Sequence, residues 1–144
     1  SIKENLVKFC NEENLKNITF IPYQDKKDLI YSLNAADVHL VTNAKGIKGV
    51  SVPSKIYGCL ASNVPVFGIL EPGTEAWNII EKSNCGVTAE TGNYSEIEEK
   101  LRQIIFEKEQ FVKKHMMGRK YLEENFTKEK SIEKYRNEIK KLVK

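Results

Sequence analysis

The sequence predicts an α/β domain with a mostly parallel sheet flanked by helices, and three observations support this prediction. Segments with strand character alternate with segments in which apolar residues recur at helical spacing. Residues 37–42 (D-V-H-L-V-T) are almost continuously apolar, which is typical of a strand buried on both faces of a parallel sheet. Residues 46–68 combine a glycine-containing loop, a short helix and a buried strand, an order typical of the ligand-binding edge of an open α/β sheet.

Length and composition indicate one soluble domain with a core of its own. The chain has 144 residues, 40% hydrophobic and 30% charged, and its net charge of +3 is spread among mixed signs, which argues against a nucleic-acid interface. Its apolar runs have the length of strands and no signal-peptide pattern occurs, so we expect a cytoplasmic protein without a transmembrane segment. The three cysteines lack zinc-ligand spacing, and we expect reduced thiols.

The N-terminal part of the chain predicts a helix, a strand and a second helix. Apolar spacing predicts a helix over residues 2–15, and the β-branched and aromatic run over residues 17–23 (N-I-T-F-I-P-Y) predicts a strand that ends at Pro22. Asp25 is the predicted N-cap of the next helix. Because such domains nearly always begin on a central strand, whereas this chain begins on a helix, we expect it to be a fragment.

The remainder predicts two more strands and a helical C-terminal part. Strands are predicted around residues 64–67 and 85–89, with Thr74 as the cap of the helix between them. Ser95-x-x-Glu98 predicts a capping box. Further helices are predicted over roughly residues 108–125 and from near residue 127, the latter with a solvated charged face. The predicted buried stripe of the capped helix comprises Ile97, Leu101, Ile104 and Ile105.

The strongest candidate for a ligand site is the entrance of the helix that follows the glycine-containing loop. Pro53 fits a first helical turn, and Ser54 and Lys55 follow where free backbone N–H groups and the positive end of the helix dipole favour an anion. The helix is predicted to end at residues 62–63. The pattern G-x-x-x-x-G-K-[ST] of nucleoside triphosphate loops is not satisfied.

For five other side chains the structural interpretation is favoured over the functional one. His39 is expected to pack in the core and His115 to lie on an exposed or half-exposed helix face. Trp77 and Tyr57 are expected to be core residues rather than platforms for a sugar. Glu71 follows a strand at the edge that binds ligands, with a role in the turn as its simplest interpretation. No acidic cluster suits a hard cation, so we expect neither a metal nor a cofactor.

Five short patterns in order resemble the nucleotide-sugar-binding half of GT-B glycosyltransferases of the group 1 or family 4 type. The longest is P-S-K-I-Y-G-C-L-A-S-N-V-P-V-F-G over residues 53–68, beside that family's P-S-K-x-Y-E-Y-x-A-x-G-x-P-V. The other matches are N-I-T-F-I-P-Y-Q with D-L at 17–24 and 28–29, A-D-V at 36–38, C-G-V at 85–87, and the C-terminal stretch from 118 to 126 with its following helix. The resemblance implies a Rossmann-like sheet, here truncated at its N-terminus.

The resemblance also implies roles for individual residues. Ser51, Val52, Pro53, Ser54 and Lys55 would cradle the donor diphosphate, in agreement with the helix-entrance argument. Pro22, Tyr23 and Gly58 would lie beside the nucleobase and ribose. Thr42, Gly49, Val50 and Glu71 would face the sugar. No catalytic residue is assigned, because the family's catalytic histidine, where present, belongs to the other half of the enzyme.

Two carboxylates of the family are absent from this sequence. The ribose-binding glutamate of the E-x7-E pattern falls at Gly58, and its acidic partner falls at Val50. In the usual strand order, two strands outside this chain would lie between the strand at 17–23 and the strand at 37–42. We therefore expect either another residue to hold the ribose, weak donor binding, or a different register.

The expected function is that of an incomplete donor-binding domain, comprising residues 1–144, of a bacterial surface-polysaccharide glycosyltransferase. The whole enzyme would transfer a sugar from a UDP- or GDP-sugar to a saccharide or lipid-linked acceptor held by an N-terminal domain, without a metal and with retention. The fragment alone would be inactive, and peripheral association of the full-length enzyme with the inner membrane face stays open. The alternatives are a nucleotide-sugar epimerase of the same fold and a non-catalytic binding domain.

Overall fold

A computed structural model describes residues 2–143 as three parallel strands and eight helices. In chain order the elements are α1 (Ile2–Glu12), α2 (Leu29–Asn34), β1 (His39–Thr42), α3 (Lys55–Ser62), β2 (Val66–Leu70), α4 (Glu75–Ser83), β3 (Gly86–Glu90), α5 (Tyr94–Phe106), α6 (Lys108–His115), α7 (Gly118–Asn125) and α8 (Lys128–Leu142). The predicted fold class, an α/β domain with a Rossmann-like parallel sheet and C-terminal helices, is confirmed.

The sheet has the order β1-β2-β3, with β2 in the centre. His39 pairs with Val66 at one interface, and Val66 pairs with Gly86 at the other. Because both pairings are parallel, the carboxyl ends of all three strands lie at the same edge. The loops that follow the strands therefore meet there, as in other open α/β sheets.

The side chains of β2 divide the core into two parts, one on each face of the sheet. Val66 and Leu70 pack with α3 and α4, whereas Phe67 packs with α5 and α6 on the opposite face. This alternation is the period of two that a pleated strand imposes. The first cluster also buries Val41, Ile56, Cys59, Leu60, Ala76, Ile79, Ile80 and Cys85, and the second buries Ala89, Ile104 and Phe111.

The predicted strand at residues 17–23 is wrong. This segment is irregular and mostly exposed, with Ile21 66% exposed, and the predicted N-cap Asp25 lies in a turn before α2. Asp28 takes the N-cap position, without a side-chain cap bond. A strand requires a neighbour for its N–H and C=O groups, and among residues 2–143 none is placed beside this segment.

The predicted capping box at Ser95 is also wrong, because the cap of α5 lies two residues earlier. Asn93 accepts a hydrogen bond from the Glu96 N–H, and the Glu96 carboxylate accepts bonds from the Glu90 N–H and the Asn93 side chain. Ser95 only donates its hydroxyl hydrogen to Asn93.

The predicted buried stripe of α5 is buried only in part: Ile104 is buried and Ile97 half-buried. Leu101 and Ile105 are exposed.

The single helix predicted over residues 108–125 is two helices, because tertiary contacts interrupt it at Met116 and Met117. His115 is buried, contrary to the prediction, and its Nδ1 lies 3.0 Å from the Asn84 carbonyl oxygen, to which the ring N–H donates. Gly118 then begins α7 against α3, where an added Cβ would lie 3.1 Å from the Leu60 Cα. The chain turns here because both contacts hold it to the sheet domain.

Other predicted helix ends are confirmed. Thr74 accepts a hydrogen bond from the Trp77 N–H, and Thr127 accepts one from the Lys130 N–H. Asn63 ends α3 in the left-handed conformation with φ of 59°. The two threonines accept hydrogen bonds from N–H groups in the first turn of their helices, as N-cap residues usually do. The asparagine ends its helix, as residues in the left-handed conformation often do.

We predict that Gly86→Ala destabilises the domain strongly. A Cβ at this position would lie 1.8 Å from the Val66 carbonyl oxygen, which is backbone of the central strand and cannot yield without breaking the register. The expected loss is at least about 3 kcal/mol of the free energy of unfolding, measured by urea denaturation. Gly58→Ala is the matched control, since its Cβ would meet only the Leu33 Cδ1 at 3.5 Å, and an unchanged Gly86→Ala stability would contradict the register.

We also predict that stability decreases as the pH falls below about 6.5. Burial lowers the pKa of His115, and burial likewise lowers that of His39, whose Nε2 hydrogen-bonds Ser62 at 3.2 Å. The unfolded chain therefore binds protons that the folded chain excludes, so this stability is present above the unfolded pKa and is lost below it. Urea denaturation across this pH range should show the decrease, and His115→Gln should make it shallower. An identical slope in the variant would contradict the assignment to His115.

Candidate functional site

Hydrogen bonds join the three strand ends at the carboxyl edge of the sheet. Asn43, directly after β1, donates its N–H to the Ile69 carbonyl oxygen of β2 at 3.3 Å. Thr91, directly after β3, donates its hydroxyl hydrogen to the Asn43 carbonyl oxygen at 3.4 Å. The β1–α3 loop (residues 43–54) therefore starts from a fixed point over the middle of the edge.

The conformation of the β1–α3 loop depends on glycines and on hydrogen bonds within its own backbone. Gly46 and Gly49 have φ angles of +86° and +76°, which glycine adopts without the penalty that other residues meet. The N–H groups of Val50 and Ser51 both donate to the Ile47 carbonyl oxygen, which closes a turn. Val50 is 82% exposed, so the surface of the loop is free to meet a ligand.

The β2–α4 turn (residues 71–74) holds the β1–α3 loop from the other side. The Glu71 carboxylate accepts a hydrogen bond from the Gly46 N–H at 3.1 Å. The Lys48 ammonium donates to the Pro72 carbonyl oxygen at 3.0 Å. Loop and turn together form a cleft of about 390 Å³, lined by Lys48, Gly49, Val50, Ser51, Val52, Gly73 and Glu75.

The entrance of α3 follows the loop and lacks a side-chain cap. The helix begins at Lys55, and Pro53 opens the turn before it, since the Ile56 N–H donates to the Pro53 carbonyl oxygen at 3.0 Å. Ser54 occupies the N-cap position, but its hydroxyl makes no cap bond. Side chains cap α4, α5 and α8, whereas α2, α6 and α7 lack a side-chain cap as α3 does. The Ile56 and Tyr57 N–H groups donate to the Pro53 and Ser54 carbonyl oxygens. Among the described residues, the N–H groups of Ser54 and Lys55 make no such bond, and the positive end of the helix dipole beside them favours an anion.

Buried apolar residues fix the position of this entrance. Ile56, Cys59 and Leu60 on one face of α3 are buried against the sheet. The Lys55 side chain is exposed, and its charge contributes to lowering the pKa of His39, although burial is the larger cause there. The candidate diphosphate residues Ser51, Val52, Pro53, Ser54 and Lys55 therefore form one continuous segment at the carboxyl edge.

The residues predicted to contact the nucleobase and ribose are not gathered into the cleft. Gly58 lies one turn into α3 and faces α2, where an added Cβ would meet Leu33. Pro22 is tied to α2 indirectly, since Gln24 donates a hydrogen bond to the Pro22 carbonyl oxygen at 3.0 Å and the Ser32 hydroxyl donates to the Gln24 side chain. Tyr23 is 99% exposed, so its ring contacts no part of the cleft.

The residues predicted to face the sugar divide between the loop and the strand ends. Thr42 ends β1 with its side chain exposed, and Gly49 and Val50 line the cleft. Glu71 lies at the carboxyl end of β2, as predicted, but its carboxylate is bonded to the loop backbone. Trp77 is half-buried against the core, and Tyr57 packs edge-on against Phe126 with ring centroids 5.3 Å apart.

Sequence reasoning missed the contribution of Lys48 and Gly73 to the cleft. Gly73 has a φ of +75°, and a Cβ there would lie 2.8 Å from the Lys48 Nζ. The signal that could have found the pair is a lysine between two glycines after a strand, opposite a Pro-Gly turn after the next strand. Within residues 2–143, no group of three His, Cys, Asp or Glu side chains is arranged to hold a metal ion.

The structure is that of an open α/β domain, with a loop and a helix entrance at the carboxyl edge of its sheet, the edge at which such domains bind ligands. Two relatives extend this description. The chain is 39% identical over 56 residues to "Probable glycosyltransferase WbjE" of Pseudomonas aeruginosa, a match that covers 39% of this chain and 14% of that protein. It is 26% identical over 138 residues to "Putative colanic acid biosynthesis glycosyl transferase WcaI" of Escherichia coli strain K12.

These similarities confirm the resemblance to glycosyltransferases. The second match covers 95% of this chain but only 33% of WcaI, so the chain spans about a third or less of the curated relatives it matches. No protein-family model matches the chain, and no solved structure matches it. Among the helices of residues 2–143, none has the length and apolar character to cross a membrane.

We predict that the thiols of Cys59 and Cys85 react slowly in the folded protein. Burial raises the pKa of Cys59 to about 11, and burial raises that of Cys85 as well, so little thiolate is present at neutral pH. Titration with a chromogenic disulfide reagent near pH 8 should show slow phases that become fast in urea. Rapid reaction of the native protein at all three cysteines would contradict the burial of this face of α3.

Proposed function

We propose that this chain is the donor-binding part of a GT-B glycosyltransferase that takes a sugar from a nucleoside diphosphate sugar. The observation that carries the proposal is the uncapped entrance of α3, placed at the carboxyl edge of a parallel sheet in a chain that resembles glycosyltransferases. The name of WcaI refers to colanic acid, and from it we propose a role in the synthesis of a bacterial surface polysaccharide.

The proposed task of residues 51–55 is to bind the diphosphate and to stabilise it as it leaves. Backbone N–H groups at the start of α3 and the hydroxyl of Ser54 would donate hydrogen bonds to phosphate oxygens. Lys55 would add a positive charge to the same group. As the bond between the sugar and the diphosphate breaks, negative charge accumulates on the phosphate oxygens, and preorganised donors lower the barrier without a metal. From the resemblance to the glycosyltransferase family, we also propose that the transfer retains the anomeric configuration of the sugar.

The sugar is proposed to lie over the cleft between the loop and the turn, near Thr42, Gly49, Val50 and Glu71. Its volume of about 390 Å³ is within the range of small-molecule sites. The base and ribose are proposed to lie toward Pro22, Tyr23 and Gly58. Because Tyr23 is almost fully exposed, this part of the proposal requires the segment before α2 to close over the base.

The two edges of the sheet support the proposal that the domain is larger than these residues. At the β3 edge, the Lys100 ammonium donates a hydrogen bond to the Thr88 carbonyl oxygen, and an edge lysine discourages strand pairing. At the β1 edge, Leu40 is 52% exposed beside an apolar groove of about 360 Å³ that Leu101 and Ile105 also line. We propose that further strands of the full-length protein pair with β1, and that a separate domain holds the acceptor.

A non-catalytic binding domain is the second candidate, favoured by Val50 and Gly58. These two positions carry no carboxylate. Gly58 faces Leu33 of α2. A domain of this kind would keep the fold and lose the donor. The two candidates differ in a measurable property, which is affinity for a nucleoside diphosphate.

We predict that the full-length protein binds UDP or GDP and that Ser54→Asp abolishes the binding. An aspartate at this position would cap α3 and place a negative charge where the phosphates are proposed to lie. Ligand-observed NMR with UDP, GDP and their sugar-bearing forms measures the effect. The matched control is Ser95→Asp, which makes the same substitution in the first turn of α5, at a residue that does not line the cleft.

The outcomes separate the two candidates. Binding that requires the diphosphate, is lost in Ser54→Asp and is retained in Ser95→Asp would support the donor site, and the preferred base would identify the donor class. A folded full-length protein that binds none of these ligands would contradict the glycosyltransferase proposal and favour the non-catalytic one. Sugar transfer by residues 1–144 alone would contradict the proposed separation of donor and acceptor domains.

A further inference from the structure

We propose that Glu71 is a positioning residue of the donor site: its carboxylate holds the β1–α3 loop through the Gly46 N–H, and donor affinity depends on this contact. The inference rests on the proposed function, because the loop leads directly into residues 51–55. The carboxylate and the loop amide lie 3.1 Å apart and are separated by 25 positions in the sequence, so the contact is tertiary rather than local.

The loop has little else to hold its outer part. Gly46 and Gly49 provide no side chains, and no protein atom lies within 4 Å of the position of an added Cβ at either residue. Between them, Ile47 is half-buried, and the Lys48 side chain donates a hydrogen bond to the Pro72 carbonyl oxygen of the β2–α4 turn. The turn in the loop is closed by its own backbone at Ile47, which fixes its shape but not its place on the sheet. Glu71 and Lys48 supply that placement.

Residues of the β2–α4 turn support both hydrogen bonds that hold the loop. Glu71 follows directly after Leu70, a fully buried residue of β2, so the carboxylate is attached to the end of the buried central strand. Gly73 leaves the space that the Lys48 ammonium occupies, since a Cβ there would lie 2.8 Å from the Nζ. The loop is therefore held at two points to one turn, and its C-terminal end becomes the entrance of α3.

The sign of the charge on Glu71 makes this role testable. A carboxylate near a diphosphate site repels the ligand, so electrostatics alone predicts that removing it raises the affinity. The positioning role predicts the opposite, because an unheld loop must be ordered when the ligand binds, and that ordering costs free energy. The two explanations thus differ in the direction of the effect, not only in its size.

The experiment compares Glu71→Ala with Glu71→Gln in the full-length protein. Glutamine keeps a side-chain oxygen that can accept the Gly46 N–H but removes the charge. We expect Glu71→Ala to weaken the binding of UDP or GDP about fivefold and Glu71→Gln to bind at least as tightly as the wild type. Amide hydrogen exchange at Gly46 should accelerate in Glu71→Ala and remain slow in Glu71→Gln.

Glu109→Ala is the matched control, since Glu109 carries the same charge, is exposed on α6 and does not line the cleft. The affinity of this variant should equal that of the wild type. Equal or tighter binding by Glu71→Ala, or slow Gly46 exchange in that variant, would overturn the inference while leaving the donor site intact. Absence of binding by the wild-type protein would overturn the proposed function and the inference with it.

Discussion

Parallel pairing on both sides of β2 is the constraint on which the rest of the structure depends. Val66 pairs with His39 on one side and with Gly86 on the other, and the second contact is so close that no side chain fits at residue 86. This pairing fixes which side chains of β2 enter each half of the core. It also brings three strand ends to one edge, so the residues that meet there come from distant parts of the sequence.

A second consequence is that the loop at this edge needs anchors from outside itself. Its glycines allow the backbone to turn sharply and to approach a ligand, but they contribute no packing. Polar contacts from the neighbouring strand ends supply the anchors instead: Thr91 at Asn43 and Glu71 at Gly46. A loop held by a few exposed hydrogen bonds can adjust to a ligand at low cost, whereas one held by apolar burial cannot.

Local sequence signals predicted those elements whose partners are also local. Thr74 and Asn63 act within one helical turn and were predicted correctly, as was the start of the last helix near residue 127. Two local predictions, the caps at Asp25 and Ser95, missed the true caps by two or three positions. The other failures involve distant partners. The β-rich run at residues 17–23 has no neighbouring strand among the described residues, and His115 is buried because it reaches Asn84. For the site, the helix entrance was predictable from its own residues, but the contact of Glu71 with Gly46 required the strand order.

The charges around the cleft indicate how it would hold a diphosphate. The loop, the turn and the first residues of α3 and α4 carry Lys45, Lys48 and Lys55 against Glu71 and Glu75, which leaves an excess of only one positive charge. Moreover, the Lys48 ammonium is already bound to the Pro72 carbonyl oxygen. Attraction by net charge would therefore be a weak source of affinity, and we expect directed N–H groups at the start of α3 to supply most of the proposed binding. Such groups act only at short range and in one orientation, and for this reason we expect the position of the loop, rather than its charge, to govern that binding.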